Sequence, residues 1–333
     1  MMVSKGVIRL YGAWAKRICG VAAALLLCVA SAGAVEMNGV RSLIPVGHTV
    51  GIKLFSKGVM VVKLIDGGTP ARNSGLRTGD VILQCGGTPV TSVEQFQSLL
   101  QEEEAADLRV SRNGGEMTIR VEPERNEDGV CQIGAWIRDS MAGIGTLTWY
   151  DPESRKFGAL GHGVTDVDTG LLMPFHDGSV LPSTVKAVKK GARGEAGELR
   201  GEFDLTRDLG PLYANTDRGV FGTLDAAEVT GELMPIGQPS EGPAQILSNV
   251  RGDEVRPYEI EITRLLSDSR DGRDMELSVT DAELLSRTGG IVQGMSGSPI
   301  VQNGKFVGAV THVLLQDPTR GYGISMETML AAM

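Results

Sequence analysis

From residue 45 onward the chain is built of short apolar runs set between turns rich in glycine and aspartate. Val59-Met60-Val61-Val62 is continuously apolar and predicts a buried strand. Thr69-Pro70-Ala71 predicts a short helix, with threonine as N-cap and proline at the first helical position, and Gly75 ends it. Leu76 to Leu83 reads as a turn feeding a strand. Ser92 and Gln95 stand at capping-box spacing, and the helix that follows carries Phe96, Leu99 and Leu100 on one face. Two strands, Leu108 to Val110 and Met117 to Val121, close around Asn113-Gly114. Beyond Gly134, runs such as Ile144 to Tyr150 and Phe157 to Leu160 alternate with polar turns, a spacing that suits an all-β barrel domain of about 200 residues. Near the end, a strand from Pro299 meets Asn303-Gly304, a two-residue hairpin signal, and Phe306 to Val310 returns beside it.

The N-terminus departs from this pattern. Lys5, Arg9, Lys16 and Arg17 precede an apolar run from Ile18 to Ala30, followed by Ala30-Ser31-Ala32 and Ala32-Gly33-Ala34. Residues 1–34 therefore read as a secretory signal peptide or a membrane anchor; the run is short against the roughly 20 residues of a spanning helix. Cys28 follows three leucines, which does not suit lipid attachment. The 333 residues leave room for two domains after this leader, and 45 glycines with 5% aromatics favour strands and tight turns. A net charge of −9, with no basic run outside the N-terminus, argues against a nucleic-acid partner. Of four cysteines, Cys19 and Cys28 lie in the leader. An oxidising compartment permits a bridge between Cys85 and Cys131, while their separate strands favour two buried free thiols. No CxxC or Cys/His cluster supports a structural zinc, and no metal or nucleotide cofactor is implied.

The stretch from Gly68 to Val90 resembles the core of a PDZ domain of the kind found in bacterial envelope proteases, with its Pro-Ala, Gly-Leu, Gly-Asp-Val-Ile and Gly-Gly elements in order. This implies a PDZ domain over residues 45–123. Such domains hold a peptide carboxylate on backbone N–H groups and add the peptide to a sheet edge. Val50, Gly51 and Ile52 are the candidate loop and edge strand, because glycine there lets a ligand approach the backbone; the alternative is an ordinary hairpin strand.

The second region, residues 134–333, carries the chemistry. Gly294-Met295-Ser296-Gly297-Ser298-Pro299 resembles the nucleophile loop of chymotrypsin-like serine peptidases. Gly294 permits a tight turn that aims the N–H groups of Gly294 and Ser296 into one oxyanion hole, and Gly297 keeps space behind the nucleophile clear. Ser298 is the competing nucleophile, but only Ser296 has glycine two residues before it and one after. A nucleophilic serine needs a base, for which histidine is the usual choice. His162, between two glycines at a strand end, is the best placed. His48 belongs to the first domain, His176 lies in a polar loop, and His312 borders the pocket or packs. Asp281, 15 residues before Ser296, is a candidate to orient the histidine, yet Thr280-Asp281-Ala282-Glu283 also reads as a helix start. Asp166 and Asp168 are rivals in a polar turn, where solvated surface is the competing role.

Taken with the leader and the PDZ segment, Gly158-Ala159-Leu160-Gly161-His162-Gly163-Val164, Lys190 to Leu199, and Thr288 to Ile300 make the whole chain resemble the stage IV sporulation protein B peptidase family. The resemblance implies a mainly β protein, an N-terminal PDZ domain followed by a chymotrypsin-like β-barrel peptidase, with His162, Asp281 and Ser296 catalytic. It implies a protein of endospore-forming bacteria, secreted into the space between forespore and mother-cell membranes, that cleaves itself. There it would cut a membrane-anchored inhibitor of an intramembrane metalloprotease, and so activate the late mother-cell sigma factor. The His, Asp, Ser order agrees with chymotrypsin-like enzymes; the long His-to-Asp gap and short Asp-to-Ser gap do not. The rival from another class is a signalling scaffold in which the PDZ module, binding peptide termini or internal segments, does the work beside an idle barrel.

Overall fold

The computed structural model describes residues 41–266 and 272–333; the proposed leader, residues 1–34, lies outside them. Two strands open the described chain, β1 (Ser42–Pro45) and the 16-residue β2 (Thr49–Leu64). The short helix α1 (Pro70–Asn73), β3 (Val81–Cys85), β4 (Thr88–Pro89), helix α2 (Val93–Gln101), β5 (Ala106–Arg112) and β6 (Gly115–Val121) follow. The small pair β7 (Glu124–Arg125) and β8 (Cys131–Gln132) completes this part. Next come β9 (Ala135–Asp151), β10 (Lys156–Ala159), β11 (Phe175–Lys189), β12 (Glu198–Phe203), β13 (Gly210–Thr216), β14 (Gly219–Thr223) and β15 (Met234–Pro235). The last part holds β16 (Gly242–Ser248), β17 (Arg256–Leu265), β18 (Met275–Val279), helix α3 (Ala282–Thr288), β19 (Pro299–Gln302), β20 (Lys305–Leu314), β21 (Asp317–Ser325) and helix α4 (Met326–Leu330). The fold is mainly β, as the turn-rich sequence predicts. Among the described residues no helix is long and apolar enough to cross a membrane.

Local chemistry accounts for several of these boundaries. Ser92 Oγ accepts the Gln95 N–H at 3.1 Å at the start of α2. The reciprocal bond of the expected capping box shifts by one residue: Gln95 Oε1 accepts the N–H and the hydroxyl of Thr91. Thr69 caps α1 without a side-chain bond, and Pro70 sets the entry. Asn303 and Gly304 both take positive φ, +52° and +70°, as a two-residue hairpin between β19 and β20 requires.

The PDZ core packs Val59, Val61, Ile82, Phe96, Leu100, Leu108, Val110 and Val121. Cys85 and Cys131 lie in the same core as free thiols, and burial, with the charge of Glu103 adding to it, pushes the Cys85 thiol up to about 11. The peptidase part forms two barrels. In the first, the pairings run β9-β10-β14-β13-β11-β2 and return to β9, a closed ring around Val50, Ile52, Leu147, Phe157, Leu160, Val180 and Val220. The second is the closed barrel β16-β17-β18-β21-β20-β19, filled by Ile246, Ile260, Ile262, Leu277, Met295, Ile300 and Val310. Leu43, Trp149, Phe221, Phe306, Ile324 and Met329 form a further cluster drawn from both barrels and α4.

The module boundary differs from the sequence expectation. The front half of β2, from Val50 to Phe55, pairs with β11 on one side and β9 on the other, inside the first barrel. Its back half, from Val59, pairs with β3 and still with β9. The PDZ module is therefore inserted between two long strands of the barrel rather than placed ahead of it from residue 45. A run such as Val50 to Leu54 suits either sheet, so its pattern does not disclose which one it joins.

Candidate active site

Thr146, near the end of β9, connects the two loops of interest. Its N–H donates to Ser296 O at 3.1 Å, its hydroxyl donates to Gly294 O at 2.7 Å, and its carbonyl accepts the Leu160 N–H at 3.2 Å. The loop after β10 then turns through two left-handed residues, Leu160 at φ +70° and Gly161 at +69°, to present His162. The flanking glycines serve close packing. A Cβ at Gly161 would meet Ile324 Cγ2 and Thr311 Cγ2 at 2.9 Å; one at Gly163 would meet Thr216 O at 2.4 Å. His162 is half-buried, and its Nδ1 pairs with Gly163 O at 2.8 Å. Burial lowers its pKa from the ordinary histidine value, against the raising effect of that carbonyl. The neutral imidazole is thereby favoured, with its proton on Nδ1.

On the second barrel, Gly294 and Gly297 take φ of +98° and +95° around Ser296. A Cβ at Gly297 would lie 2.3 Å from Thr146 O and 2.6 Å from Leu160 N, both backbone atoms, so only glycine fits. Met295 is fully buried and anchors the loop. Ser296 Oγ donates to Thr311 O at 2.7 Å. The N–H groups of Gly294 and Ser296 have no protein acceptor among the described residues, which leaves them available to an oxyanion. Ser298 is fully buried, its carbonyl bonded to the Val310 N–H, and it does not line the cleft; Ser296 does.

The cleft has a volume of about 590 Å³ and is lined by Met141–Ile144 of β9, His162, Ile291–Gly294, Ser296 and Thr311–Val313. The His312 ring lies 4.9 Å from that of His162, centroid to centroid. His312 thus borders the site, while His48 bonds Thr49 O through Nδ1 and His176 is exposed.

Three expectations are corrected. Asp281 is the N-cap of α3: Oδ1 accepts the Leu284 N–H at 2.8 Å and Oδ2 accepts the Glu259 N–H at 3.4 Å. It does not line the cleft and makes no bond to His162. Its spacing from Ser296 is spent on α3 and the turn into the nucleophile loop. Asp166 is not solvated surface. It is fully buried, ion-paired to Arg138, and accepts from the N–H groups of Asp168 and Thr169 and from the Thr169 hydroxyl. Burial works to raise its pKa, but the bonds from Thr169 and Asp168 and the charge of Arg138 hold it below the ordinary carboxylate value. Asp168 completes the same ion pair from the exposed side, at 2.8 Å. Finally, Val50, Gly51 and Ile52 are not a peptide-binding loop. Val50 and Ile52 are buried, both strand edges are paired, and a Cβ at Gly51 would meet the Phe203 ring at 2.6 Å.

Other residues enter from positions with no local signal. Asn215, at the end of β13, accepts the Val164 N–H at 2.8 Å and donates to Val164 O and Met173 O, each at 3.0 Å. It fixes the segment two residues beyond His162. A lone asparagine far along the chain carries no motif; nor does Thr146, or Thr311, whose carbonyl receives the Ser296 hydroxyl.

Two β-barrels, a histidine from one and a serine from the other in a shared cleft, and an inserted PDZ module define a serine endopeptidase of chymotrypsin-like build. The SpoIVB peptidase S55 family matches residues 129–330, and a PDZ domain matches residues 61–112. The chain belongs to the SpoIVB peptidase S55 family. Among solved structures, the PDZ domain of the SdrC-like protein from Listeria monocytogenes is 18% identical, with 24% of this chain and 87% of that one covered at a TM-score of 0.23. The Rv3671c protease of M. tuberculosis aligns in its inactive form at 12% identity, with 58% and 82% covered and a TM-score of 0.34. Its active form aligns at 11% identity, with 59% and 73% covered, also at 0.34. No curated protein matches the chain.

Proposed function

We propose that this protein is an extracytoplasmic serine endopeptidase of spore formation. It cleaves a membrane-associated regulatory protein, thereby triggers intramembrane proteolysis and late sigma-factor activation, and also cleaves itself. Family membership supports the biological setting. The observation that carries the chemistry is the shared cleft, in which His162 and Ser296 stand beside two unclaimed N–H groups. Ser296 Oγ turns from Thr311 O and attacks the peptide carbonyl while His162 Nε2 accepts its proton; the carbonyl oxygen becomes an oxyanion held by the Gly294 and Ser296 N–H groups. The protonated imidazole then gives that proton to the leaving amine, and water releases the acyl group by the same steps in reverse order. The Gly163 carbonyl keeps the proton on Nδ1, the role that the family resemblance implies for Asp281.

The test is labelling of the purified protein with a serine-directed phosphonate, followed by incubation with candidate membrane-protein ectodomains. The expected result is one adduct on Ser296 and loss of both cleavage and labelling in Ser296→Ala. Labelling that survives Ser296→Ala overturns the assignment. A labelled enzyme that cuts none of the sporulation membrane ectodomains overturns the setting and leaves the chemistry.

A further inference from the structure

The chain beyond His162 doubles back on itself. Asp166 donates its N–H to Leu171 O at 2.8 Å, Thr165 bridges Leu172, and Met173 donates its N–H to Val164 O at 3.0 Å. Residues 164–173 are therefore a small hairpin that starts two residues from the imidazole, and its Thr165 and Val167 line the cleft. Asn215 grips the base of this hairpin at Val164. The tip, Asp168-Thr169-Gly170, is polar and brings no apolar anchor of its own, so its direction is set by what it rests on.

It rests on the back of the PDZ sheet. Side chains alternate along a strand. Val59 and Val61 of β2 and Ile137 of β9 enter the PDZ core, so Met60, Val62 and Arg138 face the other way. Met60 and Val62 pack with Met173 of the hairpin, and a Cβ at Gly79, in the turn before β3, would meet Leu171 Cδ1 at 2.6 Å. Arg138, opposite Met60, reaches the tip: Nη1 donates to Asp166 Oδ2 and Nη2 to Asp168 Oδ2, the latter at 2.8 Å. The two oxygens of Asp166 divide the work. Oδ1 carries the turn, accepting the N–H groups of Asp168 and Thr169, and Oδ2 faces the guanidinium. Asp166 is fully buried, so a shift of the hairpin away from Arg138 would leave a carboxylate without its counter-charge, which is costly.

We infer that Arg138 is a positioning residue for peptide hydrolysis: through the buried carboxylate of Asp166 it sets the hairpin that follows His162, and with it the place of the imidazole in the cleft. This rests on His162 as the base. Arg138 touches neither His162 nor Ser296, and acts from the strand that the PDZ sheet and the first barrel share. The base is thereby held from two sides, by Asn215 of its own barrel at the foot of the hairpin and by β9 at the tip. Arginine suits this task because its fork engages two carboxylates at once, which the single ammonium of lysine does not reproduce.

The test titrates a serine-directed phosphonate against the full chain, at matched folded fraction by circular dichroism, and separates the rate of bond formation at Ser296 from the affinity of the reagent. Arg138→Gln and Asp166→Asn should each lower that rate by about 100-fold, as a displacement of about 1 Å does, with a smaller change in affinity. Arg138→Lys, which keeps the charge without the fork, should fall between them and the wild type. The double variant Arg138→Gln/Asp166→Asn should be no slower than either single one, because the two groups act as a unit. Leu277→Ala, in the core of the second barrel, is the control for lost stability: its melting temperature should fall while its rate per folded molecule holds. A wild-type rate in Arg138→Gln or in Asp166→Asn, multiplying losses in the double variant, or an equal loss in Leu277→Ala overturns the proposal. If Arg138→Gln does not fold, Asp166→Asn decides. His162→Gln separates this result from the catalytic reading. A rate lost in His162→Gln but kept in Arg138→Gln overturns the role of Arg138 alone, whereas a rate kept in His162→Gln overturns the base and this proposal with it.

Discussion

The loop carrying Ser296 and the loop carrying His162 meet in one cleft, but they are held differently. Around Ser296 much of the shape is set within a few residues, by glycines at −2 and +1, a buried Met295 and a tight hairpin directly after, and Thr146 adds two hydrogen bonds from β9. Around His162 they are remote. Asn215 clasps Val164 from 51 residues away, and Thr311 and Ile324 of the other barrel crowd Gly161. A local device survives changes elsewhere, whereas a remote one fails when either end moves. The Ser296 loop thus carries more of its shape in its own residues, and the His162 loop depends more on how the barrels pack.

The most severe test of this contrast is Ser296→Ala, which should lower turnover by roughly 10⁶-fold, with Ser298→Ala remaining active; peptide hydrolysis of both, at matched folded fraction by circular dichroism, decides. Next, Gly297→Ala should destabilise by on the order of 3 kcal/mol or more, because its Cβ meets two backbone atoms at positive φ. Gly161→Ala should cost less, since Ile324 and Thr311 side chains are able to give way. Equal melting temperatures in the two variants would erase the distinction between rigid and yielding loops. Asn215→Ala should lower kcat by about 100-fold through misplacement of His162, with a smaller change in KM. Thr146→Val, which removes the hydroxyl from Gly294 O, should cost about 1–3 kcal/mol of stability.

The pH profile is a finer probe of the histidine side. With His162 as the proposed base, its neutral form is the active one, and burial lowers its pKa, so activity should rise with pH and reach half its plateau below about 6.5, the unperturbed value. The unfolded chain binds this proton more readily than the folded one. Stability from this group should therefore fall as pH drops below about 6.5 and level off below the folded-state pKa. An acid limb centred above 6.5 would contradict the burial of the ring. The smallest effect is expected at Asp281. Loss of its cap in Asp281→Ala should cost about 1 kcal/mol, Asp281→Asn less, with turnover per folded molecule unchanged. Orders-of-magnitude loss in Asp281→Asn at an unchanged melting temperature would mean that the start of α3 moves to His162 during catalysis.

The legible parts of this site were those whose physics is written within a few residues. Gly294, Ser296, Gly297 and Asn303-Gly304 announce a turn, a nucleophile and a hairpin because each residue type answers to its own backbone. His162 stood out by its glycines, although their reason turned out to be packing against Thr216 and Ile324 rather than exposure. Asp281 misled because a helix cap and an orienting acid use the same side chain at the same kind of position, and only the third dimension tells them apart. Thr146 and Asn215 act through hydrogen bonds to segments far along the chain, which no spacing encodes. Gly51 suggests an open edge in sequence, yet its strand is paired on both sides and the missing Cβ makes room for the Phe203 ring, on the face opposite Val50 and Ile52.

The insertion of the PDZ module bears on how the chain reaches this structure. Leu64 and Ala135 are paired neighbours, so the module begins and ends at one point of the sheet. In the unfolded chain, closing a loop of roughly seventy residues to bring the flanking strands together costs about 4 kcal/mol of entropy. A PDZ module that folds first from its own closely spaced strands removes that search, and β2 and β9 are delivered to the first barrel already aligned. Phe96→Ala, deep in the PDZ core, should then slow refolding of the peptidase barrels as measured by recovery of activity; an unchanged rate would show that the barrels assemble without its help. In this view the module is a clasp for the nascent barrel, and only afterwards a receptor.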